Sequence, residues 1–370
     1  MGNSCNYAAG LEGVTVAETL LSDVDGENGI LIVGGYNIED IAFDRSFEDI
    51  CWLLWTGKFP SKKESAAIRA EFGAARVKAF QDIQAFKIQR HFQDGMDYLR
   101  AAMSQLIGTT SDGTEELTYI TAAMSVAASS WARLQAGHTP IKPDPDLSHA
   151  TDYLRMLTGE TASPSEATAL NTYLVTVSDH GMNASTFSAR VVASTGSDNV
   201  SSVVAAIGAL KGPLHGGAPG PVLEMFDGIG EESNARKWLE NEMKSHRRIM
   251  GMGHRVYRVR DPRAAVFEKA VRLLEKAGVK ESRLKFARTI ETVAEQVLAE
   301  HYPERKLRAN VEFYTAVLLD ALGLPRKTFT PTFAVGRVAG WCAHIVEQRK
   351  TGKLIRPASR YVGERLVAKS

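Results

Sequence analysis

The sequence predicts an all-α protein with one short β element near its N-terminus. Three observations lead there. Apolar residues recur at three- and four-residue spacing through most of the chain, the period of a helix with one face in a core. Helix start and stop signals bracket those stretches. Period-two patterning occurs once and no regular alternation of strand and helix follows it, which argues against a Rossmann fold or a β/α barrel. At 370 residues the chain is long enough for a large core and two structural domains.

Taken in order, Val14 to Leu20 and Ile30 to Val33 flank Asp23-Val24-Asp25-Gly26-Glu27-Asn28-Gly29, the pattern of a small hairpin. Ile38, Ile41, Ala42, Phe47, Ile50, Cys51 and Leu54 form an apolar helical stripe. Leu117, Ile120, Met124, Val126, Ala127, Trp131 and Leu134 form another. Pro140 to Asp146, with three prolines, reads as a loop. Ser163-Pro164-Ser165-Glu166 combines an N-cap, a proline at the first helical position and a capping-box glutamate. The helix it opens is expected to end at Val177. Asp261-Pro262-Arg263 and Thr330-Pro331-Thr332 look like two further helix starts, and Gly278 and Gly323 like two stops.

Composition narrows the function classes. Hydrophobic residues make up 44% and charged residues 24%, as in an ordinary globular enzyme. A formal net charge of +1 gives no overall field for nucleic acid or an acidic membrane surface. The three cysteines, Cys5, Cys51 and Cys342, are far apart and form no CxxC pair, which fits a reducing cytoplasm. Cys51 and Cys342 each adjoin a tryptophan and read as buried small hydrophobes. No apolar stretch is long enough to span a bilayer, and the start carries no signal-peptide pattern. Met1-Gly2 opens like a myristoylation site, but Asn6 stands where that motif wants Ser or Thr. A cytoplasmic enzyme with no membrane or nucleic-acid partner is the expectation.

Neither a Walker A loop, GxGxxG nor HExxH is present. The chemistry-bearing residues are histidines, a glutamate and arginines. His215 sits in Gly212-Pro213-Leu214-His215-Gly216-Gly217, where glycine and proline surroundings argue against a packed core role. His254 follows Gly253 in a second glycine turn, and His180 precedes Gly181 in a third. A histidine such as His180, at a helix end, is by itself as well explained as a structural cap. Arg255, Arg258, Arg260 and Arg263 form a basic comb below Arg247 and Arg248. Such a run is usually a solvated face, but Arg263 falls in the first turn of a helix, where the dipole disfavours positive charge. Arg337 interrupts an apolar helix and needs a partner. Arg356 precedes a proline and is extended. Arginines in three separate settings suit a small, multiply charged anion. Glu312, between Val311 and Phe313, is either a buried base of raised pKa or a helix N-terminal glutamate behind an Asn310 cap.

These segments occur in an order that resembles the citrate synthase family, in its shorter bacterial and archaeal form. The resemblance rests on Asp179-His180-Gly181-Met182-Asn183-Ala184-Ser185-Thr186-Phe187, Gly212 to Gly217, Gly253-His254-Arg255-Val256-Tyr257 through Asp261-Pro262-Arg263, Asn310-Val311-Glu312-Phe313-Tyr314 and Arg356-Pro357. It extends from Glu12 to Gly363. It implies a helical homodimer whose subunits close over acetyl-CoA and oxaloacetate and release citrate and CoA, with no cofactor and no metal. Residues 1–217 and 326–370 would form a large, dimer-forming domain and residues 218–325 a smaller, mobile one on the CoA side.

The resemblance also implies roles. His215 would act on the thioester oxygen, Glu312 as base on the α-proton and His254 on the ketone. His180, Asn183, Arg263, Arg337 and Arg356 would hold oxaloacetate, Arg356 reaching into the partner's site. Arg248, Ile249, Met250, Gly251, Met252 and Arg258 would lie against CoA. His91, His138, His149, His246, His301 and His344 receive no role. Two departures stand out: Glu312 is one methylene longer than the family's aspartate, and Val33-Gly34-Gly35-Tyr36 lacks an arginine that many relatives carry before the second glycine. The rival readings are a 2-methylcitrate synthase using propionyl-CoA, a zinc hydrolase built on His180, His215, His254 and Glu312, and a non-catalytic paralogue that binds acyl-CoA or a dicarboxylate.

Overall fold

The computed structural model describes residues 7–86, 92–215, 219–254, 256–279 and 283–364. Cys5, Asn6, Arg255 and the Gly216-Gly217 end of the histidine loop lie outside the described residues.

The β element is a three-stranded antiparallel sheet in the order β1 (Ser22–Asp25), β2 (Ile30–Val33), β3 (Tyr36–Asn37). Ser22 pairs with Val33 and Asp25 with Ile30. The first strand therefore lies later than the expected Val14 to Leu20. The reason is the turn. The Asp25 carboxylate accepts the N–H groups of Glu27 and Asn28, and its carbonyl accepts that of Gly29. Asp25 must thus close the strand, and the pairing registers from there. Residues of the 14–20 stretch run as a non-strand segment over the C-terminal half of the chain, where Leu20 N–H and Thr19 Oγ1 donate to Glu347.

Fifteen α-helices follow among the described residues: α1 (Ile38–Ile41), α2 (Phe47–Thr56), α3 (Lys62–Ala85), α4 (Gly95–Met103), α5 (Thr114–Gln135), α6 (His149–Thr158), α7 (Pro164–Val177), α8 (Ala184–Ala193), α9 (Asn199–Leu210), α10 (Pro219–Ile229), α11 (Ala235–Lys244), α12 (Pro262–Lys276), α13 (Leu284–His301), α14 (Val311–Ala321) and α15 (Phe329–Thr351). The stripe from Ile38 to Leu54 divides between α1 and α2, and all seven of its residues are buried. Leu134, at the end of the second stripe, is 45% exposed because α5 has by then left the core. Ser163 and Glu166 form the expected capping box on α7, and Asp261 caps α12 with Pro262 at its start. Gly278 and Gly323 follow α12 and α14 at φ 106° and 72°. The start at Thr330-Pro331 comes two residues early: a 3₁₀ turn (Arg326–Thr328) runs straight into α15 at Phe329. Pro331 still lies in the first turn, where no intrahelical N–H is needed.

Two helices form the centre. α5 is buried on nearly every side from Leu117 to Ala132 and packs on α3, α4, α6 and α15. α15 passes beside α2, α5, α7, α8 and α9. Its glycines make one approach very close. A Cβ on Gly336 would stand 2.5 Å from Val177 Cγ2, and one on Gly340 2.3 Å from the Ser178 carbonyl. α15 is therefore seated against the C-terminal end of α7, one residue short of the turn that carries His180. Cys51 and Cys342 are buried free thiols. Among the described residues no helix is long and apolar enough to cross a membrane.

Candidate active site

Five elements converge on the three glycine turns. His180 follows α7, and its Nε2 is 3.1 Å from the Tyr257 hydroxyl. Its ring meets that of His254 edge-on at 5.7 Å. Asn183 caps α8, accepting the Thr186 N–H at 3.1 Å and the Ser185 hydroxyl at 2.8 Å. Its carbonyl is therefore committed to its own helix. Ser185 also meets His215: its backbone N–H points at the ring Nε2 at 3.3 Å and its Oγ is 2.8 Å away. The backbone N–H asks Nε2 to accept, whereas the Oγ, whose proton is given to Asn183, asks it to donate; Ser185 thus anchors the His215 ring without fixing its tautomer.

At His254 backbone N–H groups, which can only donate, meet no such competition. Its Nδ1 accepts the backbone N–H groups of Val256 at 3.0 Å and Tyr257 at 3.1 Å, so its proton resides on Nε2. The loop before it is tied to α14. Met252 and Ala309 form an antiparallel bridge, Gly253 N–H donates to Arg308 O at 2.7 Å, and Asn310 N–H donates to Gly251 O at 2.9 Å. Asn310 is the hinge pin of this arrangement. Its Nδ2 donates to Gly253 O at 2.8 Å while its Oδ1 caps α14 through the Glu312 N–H at 3.0 Å. His254 and Glu312 are thereby positioned by a single side chain. Gly251 and Gly253, at φ 74° and 82°, take backbone angles that other residues avoid.

Glu312 combines the helix-cap geometry with the burial and raised pKa that the sequence suggests. It lies in the first turn of α14 behind an Asn310 cap, and its Oε2 is buried without a hydrogen-bond partner. Burial pushes its carboxyl up to about 7, against the pull of Arg263 and Arg337 and with help from Asp261. His215 and His254 are both driven down to about 4, mainly by burial, with Arg337 adding for His215 and Arg263 for His254. His180 is held well below the usual imidazole range by burial, then by Arg263, Arg337 and His254. Arg263 and Arg337 thus sit within electrostatic reach of His180 and Glu312 alike.

The two arginines are buried differently. Arg263 is held bidentately by Asp261, with Nε–Oδ1 at 3.0 Å and Nη2–Oδ2 at 2.7 Å. That carboxylate, the cap of α12, resolves the oddity of an arginine in a first helical turn. Arg337 donates from Nε to Val177 O at 2.6 Å and lies over the Phe333 ring. Arg356 is not brought to this cluster. It is exposed and lines a separate cavity of about 1180 Å³ with Leu11, Trp55, Arg190 and Glu347.

Residues expected on the CoA side surround the His254 loop. Arg248 is exposed, Ile249 and Gly251 are buried, and Met250 and Met252 are half-buried. Arg258 is exposed, its Nε 4.0 Å from Glu27 and its backbone N–H bonded to Gly26 O. A cleft of about 520 Å³ opens here, lined by Glu27, His254, Arg258, Glu304, Arg305, Lys306 and Leu307. Sequence reasoning missed Tyr257, Ser185 and Asp261. Each stands within a motif already singled out, and a hydroxyl or carboxylate there, within five residues of a histidine or arginine, was the available signal. Among the described residues no group of three or more His, Cys, Asp or Glu side chains is placed to hold a metal ion.

Comparison with known proteins bears on this geometry. Residues 10–358 match the family model described as citrate synthase, C-terminal domain. The chain is 38% identical to a citrate synthase of Haloferax volcanii, with 96% of each chain covered, and 36% identical to one of Deinococcus radiodurans, with 97% of each covered. The crystal structure of citrate synthase from Thermotoga maritima superimposes with a TM-score of 0.84 at 33% identity, covering 97% of both chains. The ternary complex of the Thermoplasma acidophilum citrate synthase with carboxymethyl coenzyme A and oxaloacetate superimposes with a TM-score of 0.86 at 29% identity, covering 98% of this chain and 97% of that one.

Proposed function

The chain belongs to the citrate synthase family of acyltransferases, and on that premise we propose that it condenses acetyl-CoA with oxaloacetate and hydrolyses the product to citrate and CoA. The observation that carries this reading is Glu312. A buried carboxyl raised to about 7, within reach of two buried arginines and beside two histidines kept neutral by burial, suits proton removal next to a bound anion.

In this reading Glu312 takes a proton from the acetyl methyl group. Charge then develops on the thioester oxygen, and the neutral His215 ring donates to it. The methylene carbon of the resulting enol attacks the ketone carbon of oxaloacetate. His254 donates from Nε2 to the oxygen that becomes the alkoxide. Water then cleaves the thioester of citryl-CoA, releasing citrate and the CoA thiol. His180, Arg263 and Arg337 hold the oxaloacetate carboxylates, and Arg356 comes from a partner subunit. The 248–252 segment and Arg258 receive CoA.

The test is a thiol-release assay with acetyl-CoA and oxaloacetate on the purified chain. Release of CoA that requires oxaloacetate supports the reading; binding of both substrates without release would make this a binding paralogue instead. A pocket discriminates one methylene by only about 1–3 kcal/mol. The same assay with propionyl-CoA therefore decides the acyl group, and the larger kcat/KM names the substrate.

A further inference from the structure

The turn bearing His180 is clamped from both sides by groups that have no part in the scheme above. His344 lies on α15 one turn beyond Gly340 and is fully buried. Its Nδ1 is 2.9 Å from Arg190 Nη1, which can only donate, so the ring proton belongs on Nε2. That Nε2 lies 3.2 and 3.3 Å from the two carboxylate oxygens of Asp179, the residue before His180. On the other side Ser22 Oγ donates to Asp179 Oδ2 at 2.5 Å and accepts the Gly181 N–H at 2.8 Å. Arg190 is itself secured by Gln348 at 2.9 Å and Glu347 at 2.6 Å. Gly340 N–H, finally, donates to Ser178 O at 3.1 Å. Residues on both flanks of His180 are therefore fixed, while its ring is left facing Tyr257 and His254.

We propose that His344 is a positioning residue for dicarboxylate binding: it holds Asp179, and through the Asp179–Gly181 turn it sets the orientation of His180. Asp179 is a fully buried carboxylate, and burial alone would raise its pKa. His344, with Arg337 and Ser22, outweighs that and keeps it below the usual carboxylate range. Without the Nε2–H donor the carboxylate loses a partner it cannot replace from solvent, and the turn must move to recover one. The inference rests on the reading of His180 as an oxaloacetate ligand.

A double-mutant cycle tests it, with oxaloacetate affinity read by calorimetry on the full chain. His344→Ala should raise the Kd for oxaloacetate at least tenfold, and KM in parallel, while kcat stays within about threefold. In a His180→Ala background the same change should alter Kd less than twofold. His344→Gln, whose amide donates to Asp179 and accepts from Arg190, should restore affinity to within about threefold. An equal loss in both backgrounds, no loss in either, or no rescue by Gln overturns the proposal. Should His344→Ala fail to fold, Ser22→Ala replaces it in the cycle, because Ser22 joins Asp179 to Gly181 directly and the same pattern is required. If the wild-type chain binds no oxaloacetate, the functional reading itself has failed; if it binds and the cycle is additive, only this inference has.

Discussion

Glu312 concentrates the chemistry into one residue, and its titration carries two predictions. As a base it must be ionised, so kcat/KM for acetyl-CoA should rise about tenfold per pH unit below about 7 and level off above it. The histidines, at about 4, stay neutral throughout that range. Glu312→Gln should lower kcat at least a hundredfold at pH 8; near-wild-type turnover would remove Glu312 from the base role. The second prediction concerns stability. The folded carboxyl titrates near 7 and the unfolded one near 4.5, so between those values the unfolded state loses its proton first. Glu312's own contribution to stability should therefore fall as pH rises from 4.5 to 7, by up to about 3 kcal/mol, while the histidines held down at about 4 contribute in the opposite sense, so the effect is read as the difference between wild type and Glu312→Gln. Glu312→Gln carries no such charge. It should unfold at higher urea than wild type at pH 8, with the gap shrinking toward pH 4.5. At this scale the sequence exposed His215, His254, Glu312, Arg263 and Arg337, because glycine turns and isolated charges in apolar runs are local signals. It could not expose the tautomers. That of His254 depends on the backbone N–H groups of Val256 and Tyr257, whose directions are set only when loops meet helices.

At the scale of elements, caps and close approaches do different work. Ser163 caps α7 far from the cluster, and Ser163→Ala should cost about 1 kcal/mol with unchanged KM values. Gly340 is an approach residue. A Cβ there meets the Ser178 carbonyl at 2.3 Å and Asp179 Oδ1 at 2.6 Å, both held firmly. Gly340→Ala should cost about 1–3 kcal/mol, as overpacking does, and should also raise KM for oxaloacetate, since the strain falls on the His180 turn. Urea unfolding and steady-state kinetics on the two variants separate the classes. The pattern of legibility follows the same division. The α7 and α12 starts were readable because a cap and its partners lie within four residues. The first strand was misplaced because Val14 to Leu20 is as β-prone as Ser22 to Asp25, and only the Asp25 turn selects between them. The α15 start slipped by two residues because a 3₁₀ turn fused to it has no sequence signal of its own.

At the scale of the whole molecule, one chain is incomplete for the site we propose. Arg263 and Arg337 reach the same histidine and glutamate, whereas Arg356 is exposed beside a different cavity. On the proposed reading a third oxaloacetate-binding arginine, Arg356, comes from a second copy, and closure of residues 218–325 over the rest would complete each site. This arrangement has a consequence that a self-sufficient subunit would not share. His215→Ala inactivates the site of the chain that carries it, while Arg356→Ala inactivates the partner's site. In a mixed dimer of the two, one site has lost both residues and the other retains both. Random reassortment of equal amounts makes about half the dimers mixed, so about one quarter of all sites should become active. Mixing the two inactive variants after reversible dissociation should therefore restore roughly a quarter of wild-type thiol release. If each subunit used its own Arg356, every site in every combination would lack one residue, and no activity would return.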